Sequence, residues 1–236
     1  MTENLLYISC AAGFCTTLGA ALLFFKREWT NRSLAIFLGL ASGVMIAVTA
    51  FDMLPSALLF YGYKKALAGF CLGFLLLWSF NAVILRNRAK KDTLIGLGYL
   101  IMLGIALHDL PEGMAIALGN ELKGRTGIVI ALGIGIHNIP EGMAIAAPLI
   151  MGGLNRIRIV FQTLLIGLIT PIGTIIGQIT VLSLPQLLPL LLGLASGIMV
   201  YLVMFQLWPE AGLKGKRSRW IGFWLGMMII ITATYL

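Results

Sequence analysis

Charge is scarce in this chain. Asp, Glu, Lys and Arg make up 11% of its 236 residues and hydrophobic residues 59%, whereas a soluble domain carries roughly a quarter of its residues as charged ones. Mean hydropathy is +0.98. A soluble protein of one or two domains is excluded. Apolar stretches recur at lengths of about 20, enough for a helix to cross ~30 Å of hydrocarbon, and almost nothing remains for a soluble core. Cysteine is scarce too: Cys10, Cys15 and Cys71 lie inside apolar runs with no CxxC spacing, so no disulfide framework is expected. The sequence has no HExxH motif, no ExxH pair and no evident nucleophile–base set, and no enzyme is expected. The net charge of +8 does not signal nucleic acid, because Lys and Arg sit between the apolar runs with no basic face interleaved with aromatics. The bilayer accounts for them. The N-terminus has no basic region before its first apolar run and carries Glu3, which reads as a retained first helix rather than a cleaved signal.

The pattern predicts an all-α polytopic membrane protein, a single transmembrane domain over residues 1–236, with eight transmembrane helices at about 5–25, 34–60, 66–85, 94–119, 126–150, 159–182, 186–208 and 220–235. Short connections make neighbouring helices antiparallel. The first, third, fifth and seventh connections hold 13 Lys and Arg against 4 on the other side, so the odd connections face the cytoplasm and both termini face outward, in the cell (inner) membrane.

Two internal repeats organise the chain. The segment from Gly39 to Ala57 recurs from Gly193 to Ala211 at an offset of 154 without a gap, with 9 of 19 positions identical, among them Phe51/Phe205 and Pro55/Pro209. The same offset carries helix 1 onto helix 6 and helix 3 onto helix 8. Helices five apart in an up-and-down chain run in opposite directions, so the repeat, about 5–85 and 159–235, is inverted in topology, as in many secondary transporters. Between the two copies, Ile105-Ala-Leu-His108-Asp109-Leu-Pro111-Glu112-Gly113 matches Ile134-Gly-Ile-His137-Asn138-Ile-Pro140-Glu141-Gly142. These are helices 4 and 5, the central pair at 94–150, and the layout is 3+2+3.

Both histidines of the chain occupy one slot of the second repeat. Helical spacing puts His108 above Glu112 and His137 above Glu141, with Asp109 on the same side as Glu112. Three ionised acids at mid-span cost about 10 kcal/mol if unpaired. No Lys or Arg lies inside any of the eight cores. The compensation left is protonation, water in a cavity, or a bound cation. Imidazole with carboxylate suits Zn²⁺, Fe²⁺, Mn²⁺, Co²⁺ or Ni²⁺ and argues against Mg²⁺ and Ca²⁺, which prefer all-oxygen shells. Pro111 and Pro140 deprive the carbonyls of Leu107 and Ile136 of their helical donors, leaving those oxygens free to line a site. Outside this centre, Asp52 is placed either to receive cations arriving from outside or to serve as a packing acid. Its counterpart Gln206 reads as a polar packing residue on the same path. Met45, Met114, Met143 and Met199 read as core filler.

With His108-Asp-Leu-Pro-Glu-Gly113 and His137-Asn-Ile-Pro-Glu-Gly142 in helices 4 and 5 of eight, the chain resembles the ZIP (Zrt/Irt-like) metal transporters, and most of all their GufA-like prokaryotic branch. The resemblance extends over nearly the whole chain. It implies uptake of divalent transition-metal ions into the cytoplasm through a metal site at His108, Asp109, Glu112, His137, Asn138 and Glu141, flanked by helices 1 and 6. It also implies a transport domain moving against a scaffold, a homodimeric assembly, and no cofactor beyond the transported ion. The chain departs from the family pattern at three places. Helix 4 has Asp109 where the family usually has Asn. Helix 6 reads Thr170-Pro171-Ile-Gly173 where this branch commonly carries a metal-bridging Glu. The connection before helix 4, often His-rich in the family, holds only Arg, Asn, Ala, Lys and Asp. Asp109 then restores the charge missing at Thr170, and a single-ion site is expected. Competing readings are a membrane-embedded metal-dependent hydrolase and a proton-coupled carrier of small organic solutes with the carboxylates as proton relays.

Overall fold

The computed structural model describes residues 2–61, 63–84, 94–122, 124–180 and 185–235. The third connection, Arg86–Asp92, which carries 4 of the basic residues counted for orientation, lies outside them, as do parts of the fourth and sixth. The described residues are helical with no strand: α1 Thr2–Leu22, α2 Asn31–Val48, α3 Leu54–Tyr61, α4 Tyr63–Ile84, α5 Leu94–Leu122, α6 Gly124–Met151, α7 Arg156–Gly167, α8 Ile169–Thr180, α9 Leu188–Leu202 and α10 Trp208–Tyr235. Among them are seven segments long and apolar enough to cross a membrane. The protein is a polytopic, multi-pass membrane protein.

Local sequence explains where helices begin and bend. The Thr30 hydroxyl caps α2 by accepting from Ser33 N at 3.1 Å, and Asn155 caps α7 by accepting from Ile157 N at 2.8 Å; each satisfies a backbone donor that the first helical turn leaves free. The expected second helix continues from α2 into α3 through a π turn, Thr49–Met53. The seventh does the same from α9 into α10 through Val203–Leu207. The two turns lie 154 residues apart, the repeat offset. The cause is visible in sequence: Pro55 and Pro209 remove the donors that the carbonyls of Phe51 and Phe205 would use, and the backbone widens to accommodate the loss. Pro171 likewise follows the turn at Leu168 that separates α7 from α8.

The last apolar segment, Leu188–Thr234, has 47 residues and as one straight rod would be about 70 Å long, over twice the hydrocarbon thickness. It is not straight. Gly215 leaves the helical region (φ 168, ψ 101), and beyond it the chain folds back. Trp208 meets Trp220 edge-on at 4.8 Å and Phe223 at 5.2 Å, although an unbroken helix would hold residues 208 and 223 about 22 Å apart. Arg219 secures the reversal, its guanidinium 3.9 Å above the Trp208 ring and its Nη1 donating to the Trp208 carbonyl at 3.1 Å.

Helices cross where glycine lets backbones touch. Gly39 and Gly43 of α2 lie against the backbone of Arg219 and Phe223 in the last leg, whose Gly222 and Gly226 lie against Ile36 and Leu40. The seam between α4 and α9 repeats this arrangement: Gly193 and Gly197 lie against Ala66 and Phe70, and Gly69 and Gly73 against Leu190 and Leu194. A methyl group at any of these eight positions would run into facing backbone, the small-residue packing of membrane helices. Around the central pair, Gly113 of α5 rests on Thr170 and Gly142 of α6 on Thr16, while Gly173 rests on Leu110 and Gly19 on Ile139. Thr16 and Thr170 are 154 residues apart, as are Gly19 and Gly173. Gly13 and Gly167, separated by the same offset, touch each other. Met45 and Met199 are fully buried in the main core.

Gly197→Val should therefore destabilise the detergent-solubilised protein by at least the ~1–3 kcal/mol of ordinary overpacking, read as a fall in apparent Tm. Gly133→Ala should not, because nothing lies within 4 Å of a Cβ there and alanine favours helix. Equal behaviour of the two variants would contradict the packing described.

Candidate metal centre

Helices α5 and α6 pack side by side and bring the two copies of the motif together. All six residues singled out there are buried: His108, Asp109, Asn138 and Glu141 at 0% exposure, Glu112 at 2% and His137 at 3%. One ligand atom each from His108, Asp109 and Glu112 lie within 4.8 Å of one another. The short contacts run between the helices. His108 Nε2 lies 3.3 Å from Glu141 Oε1 and 3.5 Å from Asp109 Oδ1, while Glu112 Oε2 accepts from His137 Nε2 at 3.1 Å. Each histidine thus meets the glutamate of the opposite helix, a reciprocal pairing that adds to the same-helix stacking expected from sequence. One helical turn separates i from i+4 by about 6 Å along the axis, and side chains facing each other across a tight crossing come closer.

The tautomer of His108 is set by the backbone. Its Nδ1 lies 3.0 Å from the Gly104 carbonyl, which can only accept, so Nδ1 carries a proton, and whenever the ring is neutral its lone pair is on Nε2. This is how a metal-ligating imidazole is oriented, with its second nitrogen donating to an outer partner. Nε2 faces two carboxylate oxygens. His108 Nε2, both Asp109 oxygens, Glu112 Oε1, both Glu141 oxygens and Asn138 Oδ1 are buried without a hydrogen-bond partner. Electron-rich atoms converge, and burial of unpaired carboxylates costs several kcal/mol each. A positive charge placed among them removes the conflict. Among the described residues no Lys or Arg pairs with these acids; the one Lys–carboxylate pair is Lys214–Glu210, elsewhere in the chain. Imidazole nitrogen and several carboxylate oxygens form a donor set suited to a divalent transition metal, to which His137 adds its nitrogen once it gives up the proton shared with Glu112.

Asn138 does more than face this cluster. Its Nδ2 donates to the Ala12 carbonyl at 3.0 Å, tying α6 to α1 and turning Oδ1 away from that bond. Asp109 holds the matching position on α5 and cannot make such a bond when ionised. Both α5 and α6 continue through Pro111 and Pro140, which leave the Leu107 and Ile136 carbonyls without helical donors. Thr170 is fully buried against α5 with its hydroxyl unpartnered. Thr16 was not foreseen. It too is fully buried with an unpartnered hydroxyl, whereas Ser42, Thr163, Thr174 and Ser196 bond back to their own helices. Its signal in the sequence was its offset of 154 from Thr170.

A cavity of about 160 Å³ reaches the cluster. Glu112 and His137 stand at one end, Ser56, Gly119, Thr126 and Leu188 line it towards the helix ends, and Asp52 is in its wall. Asp52 thus shares a cavity with two residues of the cluster. Gln206 does not line it and is half-buried in the second π turn.

The sequence pattern of the ZIP Zinc transporter family matches residues 86–233, well over half of the chain and including both motifs. The chain belongs to this family. It is 33% identical to "Zinc transporter ZupT" of Chlorobium luteolum over 95% of this chain and 94% of that protein. It is 28% identical to the protein of the same name from Chlorobium chlorochromatii, over 100% of this chain and 99% of the other. With "Zinc transporter ZTP29" of Arabidopsis thaliana it shares 30% identity, over 97% and 92%. Each central helix carries His, Pro, Glu and Gly at the same spacing, joined through the reciprocal histidine–glutamate contacts.

A cation binding here should stabilise the fold. At 100 times its Kd, Zn²⁺ should add about 2.7 kcal/mol and raise the apparent Tm in detergent. The His108→Ala/Glu141→Ala double variant should lose that shift. An unchanged shift in the variant would place binding elsewhere.

Proposed function

We propose that this protein carries divalent transition-metal ions across the cell membrane into the cytoplasm, binding them between α5 and α6 through His108, Asp109, Glu112, His137, Asn138 and Glu141. The observation that carries the reading is the convergence of buried carboxylate oxygens and His108 Nε2, without hydrogen-bond partners, in an apolar bundle, with a cavity leading to them. The names of the relatives make Zn²⁺ the first ion to test, with Fe²⁺, Mn²⁺, Co²⁺ and Ni²⁺ compatible with the donors.

The architecture proposed is a single transmembrane domain of eight spans in a 3+2+3 layout, with helices 1–3 and 6–8 as inverted repeats around the central pair and a homodimer as the assembly. Supporting it are the reversal at Gly215, the two π turns at one offset and the duplicated glycine seams. Both termini are extracytoplasmic on the excess of Lys and Arg in the odd connections. In that orientation the cavity opens outward and Asp52 is the first acid an incoming cation meets. Inside, an ion replaces repulsion between lone pairs with coordination, and the low-dielectric surroundings make that exchange large. The free carbonyls of Leu107 and Ile136 are further oxygens for the site. Thr170 brings no charge, and Asp109 supplies a third carboxylate, which favours one ion over two.

The test is uptake into proteoliposomes offered Zn²⁺, Fe²⁺, Mn²⁺, Co²⁺ and Ni²⁺ in parallel. Uptake by wild type should be abolished in His108→Ala/Glu141→Ala. Absence of uptake from folded, inserted protein would overturn the reading in favour of a hydrolase or a proton-coupled solute carrier. Asp109→Asn should weaken Zn²⁺ affinity about tenfold or more, the scale of losing one ligating or supporting group at a metal site. Unchanged affinity and transport would remove Asp109 from the site.

A further inference from the structure

Hydroxyls on the helices of this bundle follow a common pattern. Ser42, Thr163, Thr174, Thr180 and Ser196 each donate to the carbonyl four residues back in their own helix, the nearest acceptor that a Ser or Thr has in an apolar interior. Thr16 departs from it. It is fully buried within α1 and its hydroxyl has no partner. The acceptor that the pattern assigns to it is the Ala12 carbonyl, and that oxygen is already taken. One of its two lone pairs serves the helical N–H four residues on, which is that of Thr16 itself. The other accepts from Asn138 Nδ2 at 3.0 Å.

The neighbouring exceptions have causes of their own. Thr17 is unpartnered too, and its acceptor, the Gly13 carbonyl, is pressed against Gly167. Thr170, the counterpart of Thr16, lies just past the turn at Leu168, where α7 has already ended, so no regular helix leads back from it to a carbonyl one turn away. Only at Thr16 is the missing acceptor occupied by a side chain of the central pair. Asn138 Oδ1 is itself buried without a donor. Buried polar groups left unpaired are destabilising, and the deficits of Thr16 and Asn138 meet at one contact, the Asn138–Ala12 bond. When the amide turns away, the Ala12 lone pair comes free. The Thr16 hydroxyl can then take it by a change of χ1 alone, since one of the helical rotamers of Thr points its oxygen at that carbonyl.

We propose that Thr16 is a positioning residue for the ion: its hydroxyl replaces the Asn138 amide on the Ala12 carbonyl when Asn138 turns its oxygen towards the bound cation. The two side chains share one acceptor, and binding exchanges its occupant. This rests on the metal centre proposed above and adds a residue that acts without touching the ion. The exchange gives the hydroxyl the partner it lacks, and that gain offsets the bond Asn138 gives up. The other half has no such device. Asp109 stands at the position of Asn138, and both its oxygens are without hydrogen-bond partners, so the exchange belongs to the α1–α6 side alone.

The experiment is a double-mutant cycle on the full chain in detergent, crossing Thr16→Val with Asn138→Ala and measuring apparent Tm without metal and Zn²⁺ affinity by calorimetry. Without metal, Thr16→Val should raise the apparent Tm, because it removes a buried hydroxyl that has no partner. In the Asn138→Ala background the same substitution should lower it, because there the hydroxyl already holds Ala12. Zn²⁺ affinity should fall about tenfold in Thr16→Val, the lower end of what supporting groups contribute at metal sites, and Thr16→Ser should bind as wild type does. With Asn138→Ala present, Thr16→Val should cause no further fall. A residue that only packs would move Tm in the same direction in both backgrounds and leave affinity alone. Either of those results overturns the exchange while the metal centre stands. Absence of Zn²⁺ binding by folded wild type overturns the centre, and the role of Thr16 in binding with it. The reversal of sign is read without metal, so it is decisive even where Asn138→Ala binds no Zn²⁺.

Discussion

Three carboxylates are buried together in an apolar bundle where, among the described residues, no Lys or Arg reaches them, and the rest of the molecule is arranged around that constraint. Ionised and unpaired, they would consume as much free energy as a typical fold retains. The bundle confines them to a single point, where two helices cross and each histidine reaches the opposite glutamate. The Gly104 carbonyl fixes the ring of His108 from behind, and Ala12 fixes the amide of Asn138. What remains is a set of electron-rich atoms held in place by backbone, whose interaction energy is lowered by a cation. A cluster built this way is poised to bind.

The glycine seams make such confinement workable. Backbones in direct contact leave little room for side chains to relax away from the cluster, so the distances between α5 and α6 are governed by Gly113 and Gly142 resting on α8 and α1. These contacts are made by main chain and are the same on both sides, which gives the centre equal support from each half. The substitutions that break the equivalence are chemical: Asp109 against Asn138, and Asp52 against Gln206.

Much of this was legible in the sequence. Span positions followed from apolar length, and the buried cluster of His and carboxylate side chains from two histidines in one repeated slot. Asp52 was singled out by its repeat, and the structure sets it in the cavity wall. What escaped was anything requiring the distance between helices. Periodicity speaks of one helix at a time, so it stacked His108 on Glu112 and His137 on Glu141 without revealing the exchange of partners. It offered Asn138 as a ligand without its bond to Ala12. Pro55 and Pro209 were visible as matched prolines, but proline alone does not say whether a helix kinks, ends or widens into a π turn. The break in the last segment was expected over the charged stretch 210–219. The structure narrows it to Gly215, because Arg219 packs its cation on Trp208 and lets helix persist close to the turn on both sides.

The seams also cross-knit the two halves of the chain. Helix α2, made early, has its glycine face completed by Gly222 and Gly226 in the last leg, and α4 has its own completed by α9. Neither α2 nor α4 can therefore bury its glycine face against its neighbours in sequence. The partners of α2 are made last, more than 170 residues after it. The α2 seam can consequently close only once residue 226 has been made, so its two halves meet late in synthesis.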